Sequence, residues 1–157
     1  MDNPNAPDRP NAPGLPNASD MKVLLDRVKH VGKLLEHQLW QAALDLSLDK
    51  SSRPGRRFAG LVEAGAMLDA TLLLVMLSEP RRSVTDIRKA GDAWVCSIQV
   101  YGAATPARAR KFKAEHADLP AAVLAALLSS HLERRFEAHL KNTFHKQYQG
   151  EFESHDT

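Results

Sequence analysis

One apolar run, from Leu61 to Leu77, constrains the fold of this chain more than any other feature. Its only charged residues are Glu63 and Asp69. A helix that is apolar on all sides is buried, either in a protein core or in a membrane. A membrane span is disfavoured, because each acid near the bilayer centre costs about 2.5–3.5 kcal/mol. The run therefore predicts a buried helix in a globular protein, and this helix ends before Pro80.

The composition agrees with one globular domain. The chain has 157 residues, of which 43% are apolar and 25% are charged, so it is long enough to bury a core. Its single cysteine excludes an intrachain disulfide and a multi-cysteine metal site. The N-terminus shows no secretory signal, so we expect a cytoplasmic protein without a membrane segment.

Residues 1–19 differ from the rest of the sequence. Prolines occur at every third position from Pro4 to Pro16, and this period matches the three residues per turn of polyproline II. The segment contains almost no large apolar residue to bury. We therefore predict a disordered, proline-rich tail.

The next segment, residues 20–50, has the apolar spacing of an amphipathic helix. Ser19 or Asp20 can cap its N-terminus, and apolar residues recur every three or four positions from Met21 to Leu46. Gly32 is expected to be a weak point, since glycine inside a helix costs about 1 kcal/mol relative to alanine. The Pro54-Gly55 pair predicts that the helix ends before a loop.

A β-hairpin is predicted after the apolar run. Residues 83–89 form its first strand, Ala90-Gly91 its turn, and residues 92–101 its second strand. Trp94, Cys96, Ile98 and Val100 alternate with polar or smaller neighbours, which is the period of a strand with one face inward. Residues 111–116 form a shorter third strand whose charges suit an exposed sheet edge.

The last helix is predicted to begin at Asp118-Leu119-Pro120, where an acid caps the helix and proline occupies its first turn. If it continues to Gln149, the helix is about 45 Å long at 1.5 Å per residue, longer than the domain is wide. Its distal apolar residues therefore predict self-association as a homodimer, with packing against the N-terminal helix as the alternative. These residues are Leu132, Phe136, Leu140, Phe144 and Tyr148.

Together these elements predict an α+β fold. A small two- or three-stranded antiparallel sheet is packed by two apolar helices, with an added N-terminal helix and a long C-terminal helix. Residues 20–157 form one domain, made of the N-terminal helix (20–50), an αββα core (61–135) and a helical extension (136–157).

We identify no catalytic constellation, cofactor site or metal site in the sequence. The seven histidines lack metal-ligand spacing. Ser47-Leu48-Asp49-Lys50 matches a Ser-x-x-Lys motif, but the companion motifs of those hydrolases are absent. Cys96 is expected to be a core residue. Asp69 is the acid of most interest: burial would raise its pKa, and a hydrogen bond to a neighbouring backbone group or hydroxyl is the commoner reason for an acid in such a helix.

Positive charge is concentrated in the middle of the chain. Residues 53–113 carry 11 basic and 5 acidic side chains, whereas the whole chain has a net charge of only +2. If the basic loops 53–57, 81–82 and 108–113 converge, they can contact the phosphates of a nucleic acid or another anionic partner. The residues are Arg53, Arg56, Arg57, Arg81, Arg82, Arg108, Arg110, Lys111 and Lys113.

Three segments resemble the small helix–strand–strand–helix proteins encoded by tailed phages and prophages, of the phage ABA-sandwich type. They are residues 63–72 (EAGAMLDATL), 91–95 (GDAWV) and 117–124 (ADLPAAVL), and the resemblance covers roughly residues 61–135. It implies a non-enzymatic accessory protein that acts through protein–protein interaction in the cytoplasm of a bacterial host. It implies no catalytic residue.

Overall fold

The computed structural model describes residues 18–101 and 109–133. The described elements are the helices α1 (Ala18–His30), α2 (Glu36–Asp45), α3 (Arg53–Glu63) and α4 (Met67–Leu77), and the strands β1 (Arg82–Ala90), β2 (Ala93–Val100) and β3 (Arg110–His116). A fifth helix, α5, begins at residue 119 and is described to residue 133. The predicted α+β class is confirmed. The predicted tail, apart from residues 18 and 19, and the predicted extension 136–157 lie outside the described residues.

The prediction of one helix over residues 20–50 is wrong, because the segment forms two helices. The chain leaves α1 after His30 and enters α2 at Glu36, and the weak point Gly32 lies in the break. The freed backbone groups there are bonded: Leu34 N donates to Asp118 Oδ2, and Leu35 N donates to Gln38 Oε1. Apolar residues on both sides of the break still enter one core, which is why the spacing looked continuous.

The prediction of a loop at residues 51–57 is also wrong, because α3 begins at Arg53. The Ser52 hydroxyl accepts a hydrogen bond from Gly55 N at 3.1 Å, and Pro54 lies in the first turn of the helix, where it costs no backbone bond. Gly55 is required by close packing, since a Cβ there would lie 2.0 Å from Asp49 O. The Pro-Gly pair therefore starts a helix here.

The apolar run 61–77 is divided rather than forming one buried helix. α3 ends at Glu63 and α4 begins at Met67, and Gly65 between them has a φ of +72°. Gly65 N donates to Val62 O and Ala66 N donates to Leu61 O, the two bonds of a Schellman helix end. Asp69 is exposed in the first turn of α4, so the expectation that it is buried is wrong.

The three strands form an antiparallel sheet in the order β1-β2-β3. The predicted hairpin and third strand are confirmed, but the turn is Gly91-Asp92 rather than Ala90-Gly91, because Ala90 pairs with Ala93. Ile98 lies opposite Val84 and Phe112. Cys96 and Ile98 are fully buried in the core, as predicted, whereas Trp94 is only partly buried against it.

α5 is the most deeply buried helix of the described chain. Every residue from Ala121 to Leu128 is at most 1% exposed. The start predicted at Asp118-Leu119-Pro120 is confirmed. The central helix of the core is therefore α5 rather than the apolar run 61–77. In the described part of the chain, no helix has the length and apolar character required to cross a bilayer.

Candidate functional site

The outer side of α4 is an apolar surface that the core covers only in part. Its inner side is buried through residues such as Leu74 and Val75. Leu68, Leu72 and Met76 recur every four residues and so share the other side of the helix. We call these three residues the α4 outer face. Leu68 and Leu72 are half-buried, and Met76 is 77% exposed.

The polarity of this surface is unusual for a surface helix. Such a helix normally carries charged or polar residues opposite its buried stripe, whereas in α4 only Asp69 and Thr71 are polar. Thr71 is buried, and its hydroxyl donates to Met67 O at 2.7 Å. α4 packs against β1, an edge strand on which Ile87 is 39% exposed. The sequence already indicated this surface, because the run 61–77 is apolar on all sides and a helix of this kind must be covered on all sides.

The residues predicted for self-association are only partly described. Leu132 is half-buried against the core of its own chain, so it already has an intrachain partner. Phe136, Leu140, Phe144 and Tyr148 lie outside the described residues.

The nine candidate anion-binding residues do not form one loop cluster. Arg53, Arg56 and Arg57 are exposed on α3. Arg81 directly precedes β1, and Arg82 is the first residue of this strand. Arg108 lies outside the described residues, and Arg110, Lys111 and Lys113 lie on β3.

Arg82 and Arg110 bind α5 instead of facing solvent together. Both lie opposite Val100, on either side of β2. Arg82 is 3% exposed, and its Nε donates to Ser130 Oγ at 2.8 Å while its Nη1 donates to Pro80 O at 2.8 Å. Arg110 pairs with Glu133. The two arginines therefore connect the edge strands β1 and β3 to α5.

Three of the remaining cations share the face of the sheet that points away from the core. Lys111 and Lys113 lie opposite Gln99 and Ser97, on the side opposite Ile98. Arg81 is the third cation. Tyr101 N donates to Arg81 O at 3.0 Å, and this bond continues the pairing of β1 with β2 by one residue.

The tyrosine ring lies among these cations. The Arg81 guanidinium carbon lies 5.9 Å from the centroid of the Tyr101 ring, and Ser83 Oγ donates to the Tyr101 hydroxyl at 3.1 Å. We call Arg81, Tyr101, Lys111 and Lys113 the cationic end of the sheet; all four are exposed. At the other end of this face, Asp86 lies 3.4 Å from Arg88 and offsets its charge.

Cys96 is the only cysteine of the chain, and it is buried. Burial raises the pKa of the Cys96 thiol to about 11, so the nucleophilic thiolate is disfavoured. Within residues 18–101 and 109–133, no three His, Cys, Asp or Glu side chains come together as metal ligands.

Comparisons of the chain with protein-family models, with curated proteins and with solved structures gave no match.

Proposed function

We propose that this protein is a non-enzymatic interaction protein that self-associates and acts through protein–protein contacts. The α4 outer face is the observation that carries this proposal. Leu68 and Leu72 are only partly covered by the core, and Met76 is 77% exposed, on a helix whose outer side has no polar stripe. Exposed apolar surface of this kind is typical of protein interaction sites. The resemblance to phage and prophage accessory proteins supports the same function.

A second copy of the chain is the partner that suits this surface. The α4 outer face carries no charge that would select a different protein, and a twofold axis brings identical apolar stripes together. α4 is about 16 Å long at 1.5 Å per residue, so by itself it is too small for the roughly 800 Å² per partner of a standard interface. The contact must therefore extend onto the adjoining edge strand β1, where Ile87 adds apolar area.

Sedimentation velocity over a concentration series tests the proposal. We expect the full chain to be a dimer at tens of micromolar and Met76→Lys to be a folded monomer. Val23→Lys is the matched control, because Val23 is also an exposed apolar residue, 46% accessible, but lies on α1. A wild-type chain that stays monomeric, or a Met76→Lys variant that still dimerises, would refute the role of α4.

The same experiment separates α4 from the C-terminal residues. A chain lacking residues 136–157 removes Phe136, Leu140, Phe144 and Tyr148. If this truncated chain is monomeric while Met76→Lys remains dimeric, self-association belongs to the C-terminal segment instead. A truncated chain that retains the dimer would assign the contact to the α4 outer face.

The cationic end of the sheet favours a second candidate function, the binding of single-stranded nucleic acid. Arg81, Lys111 and Lys113 can contact phosphates, and the exposed Tyr101 ring can stack on a base. Three phosphate contacts predict a slope of about −2 when the logarithm of affinity is plotted against that of salt concentration.

Fluorescence anisotropy with a labelled thymidine oligonucleotide tests this function. The double variant Lys111→Ala/Lys113→Ala should lose most binding at low salt. Arg53→Ala/Arg57→Ala is the matched control, because it removes the same charge from exposed positions on α3. Equal losses in the two variants would indicate a non-specific effect of net charge. Nuclease treatment of a lysate pull-down then separates protein partners from nucleic-acid partners.

A further inference from the structure

A cleft with a volume of about 360 Å³ lies between the α2–α3 connection, the end of α4 and the α5 helix. This volume is within the range of about 300–1,000 Å³ found for small-molecule sites. Leucines line part of the cleft, including Leu48 from the connection and Leu74 from α4. His131 of α5 also lines it. The cleft therefore combines apolar walls with several polar groups, as ligand sites do.

The charged residues of the cleft are acidic. Asp49 and Glu79 both line it and are both exposed, and none of its described lining residues is a lysine or an arginine. Hydrogen bonds from the Ser51 hydroxyl, at 2.7 Å, and from Ser51 N, at 2.9 Å, hold the Asp49 carboxylate in place. The same bonds lower the pKa of Asp49, and the charge of Arg56 adds a smaller effect in the same direction. The carboxylate is therefore fixed and ionised at neutral pH.

Two helix ends at the cleft have opposite polarity. α3 begins there with Ser52 and Pro54, and α4 ends there with Leu77 and Ser78. A helix N-terminus favours an anion and a C-terminus favours a cation, so their effects oppose each other. The Ser52 hydroxyl already accepts a bond from one of the free N–H groups of α3. The two carboxylates therefore decide the sign of the charge that the cleft prefers.

Ser47 occupies an unusual backbone position in the wall of the cleft. Its φ is +61°, a left-handed conformation that helix ends normally assign to glycine. Ser47 N donates to Leu44 O and Leu48 N donates to Ala43 O, so α2 ends in the same Schellman pattern as α3. The end of α3 has Gly65 at this position, whereas the end of α2 has Ser47, which lines the cleft.

We propose that this cleft binds a small organic cation, a compound with an apolar body and an ammonium group. The leucines of the cleft contact the apolar body, and Asp49 and Glu79 provide the anionic contacts for the ammonium group. The Ser47 hydroxyl accepts a hydrogen bond from the ligand. This site is separate from the α4 outer face and from the cationic end of the sheet, so it does not depend on the function proposed above.

Three probes of similar size test the charge preference. Phenethylammonium, phenethyl alcohol and phenylacetate are titrated into the full chain, and backbone amide shifts around residues 46–52 and 77–79 are followed by NMR. We expect saturable binding of the ammonium probe, at least fivefold weaker binding of the alcohol, and weaker binding still of phenylacetate. Equal affinity for the ammonium and the alcohol would refute the proposal, and so would preference for phenylacetate or absence of binding.

Substitutions of two exposed acids then test whether the carboxylate of Glu79 contacts the ammonium group. Glu79→Gln should weaken phenethylammonium binding at least threefold, because it removes one anionic contact without changing size. Asp69→Asn is the control, since Asp69 is exposed at the opposite end of α4 and does not line the cleft. Ser47→Gly keeps the backbone conformation and removes the hydroxyl, so it should also weaken binding. Unchanged affinity in both Glu79→Gln and Ser47→Gly would overturn the assignment.

Discussion

The backbone N–H of Leu34 donates a hydrogen bond to Oδ2 of Asp118 at 2.9 Å, and this bond joins residues 84 positions apart. Leu34 lies in the break between α1 and α2, where helix geometry leaves amides without partners. Asp118 directly precedes α5, and its own N–H donates to Nδ1 of His116 at 2.9 Å. The bond therefore connects the bend of the N-terminal helices to the start of the central helix.

Removal of this acceptor should destabilise the protein. We expect Asp118→Ala to lower the free energy of unfolding by about 1–3 kcal/mol, because a partly buried amide loses its partner. Asp118→Asn keeps an acceptor oxygen and should cost less. Chemical denaturation followed by circular dichroism measures both variants. Equal losses would show that the hydrogen bond to Leu34 is not the source of the effect.

The contact between Arg82 and Ser130 predicts a second loss of stability. Ser130 is 1% exposed, and its hydroxyl accepts from Arg82 Nε, so Ser130→Ala should cost about 1–3 kcal/mol. Ser129→Ala is the neighbouring control, because the Ser129 hydroxyl donates only a local bond to Ala125 O. We expect it to change stability by less than about 0.5 kcal/mol. Similar denaturation midpoints for the two variants would contradict the role given to Arg82.

Ser47 and Gly65 both have a left-handed backbone at a helix end, so exchanging serine and glycine at these positions should change stability in opposite directions. Ser47→Gly should raise the free energy of unfolding by up to about 1 kcal/mol, since it relieves a conformation that is costly for residues with a Cβ. Gly65→Ser should lower it by about 1 kcal/mol, although a Cβ at Gly65 would meet no atom within 4 Å. Thermal unfolding of both variants checks the sign. A destabilised Ser47→Gly variant would mean that the hydroxyl stabilises the native fold.

Cys96 should resist thiol reagents in the folded protein. It is fully buried, and burial raises its pKa to about 11, so the thiol stays protonated at pH 8. We expect Ellman's reagent to react only as fast as the protein opens, and rapidly once the chain is unfolded. Because its pKa is higher in the folded than in the unfolded state, the contribution of Cys96 to stability falls as the pH rises above about 9. Rapid labelling of the native protein at pH 8 would contradict the buried position.

Two aromatic residues should differ in their effect on the core. Phe58 is fully buried, with its ring edge-to-face with Trp40 at a centroid distance of 5.0 Å. Phe58→Ala should cost about 3–5 kcal/mol. Trp94 is only partly buried, and Lys89 Nζ lies 5.7 Å from its ring centroid, so Trp94→Ala should cost less than Phe58→Ala. Chemical denaturation checks the order, and a larger loss for Trp94 would reverse it.

The strands were predictable because their signals are local. The alternation around Cys96 and Ile98, the turn at Gly91 and the acid-proline start of α5 each depend on neighbouring residues. A strand over residues 111–116 also implies that Lys111 and Lys113 share one face, since successive side chains alternate between faces. Only the strand register showed that Arg81 and Tyr101 lie on the same face, because cross-strand neighbours are distant in sequence.

The helix boundaries were less predictable, because apolar spacing continues across a break when both helices face one core. Gly32 was the expected weak point and lies in the first break, but glycine alone does not show whether a helix bends or ends: Gly65, which lies in the second break, occurs within the apolar run 61–77. The partners that decide this, such as Asp118 for Leu34, come from distant elements. For the same reason, the sequence presented Arg82 as a surface cation, whereas Ser130 holds it inside the fold.

By itself, the sequence determined the α+β class, the three strands, the start of α5 and the burial of Cys96, because each depends on a local pattern of polarity or backbone preference. Only the tertiary structure decided which apolar side chains stay exposed and which charged side chains bind other parts of the same chain. It left Met76 exposed, paired Arg110 with Glu133, and brought Ser47, Glu79 and His131 to one cleft. These outcomes depend on packing between distant segments, and packing sets the environment of each side chain independently of its sequence neighbours.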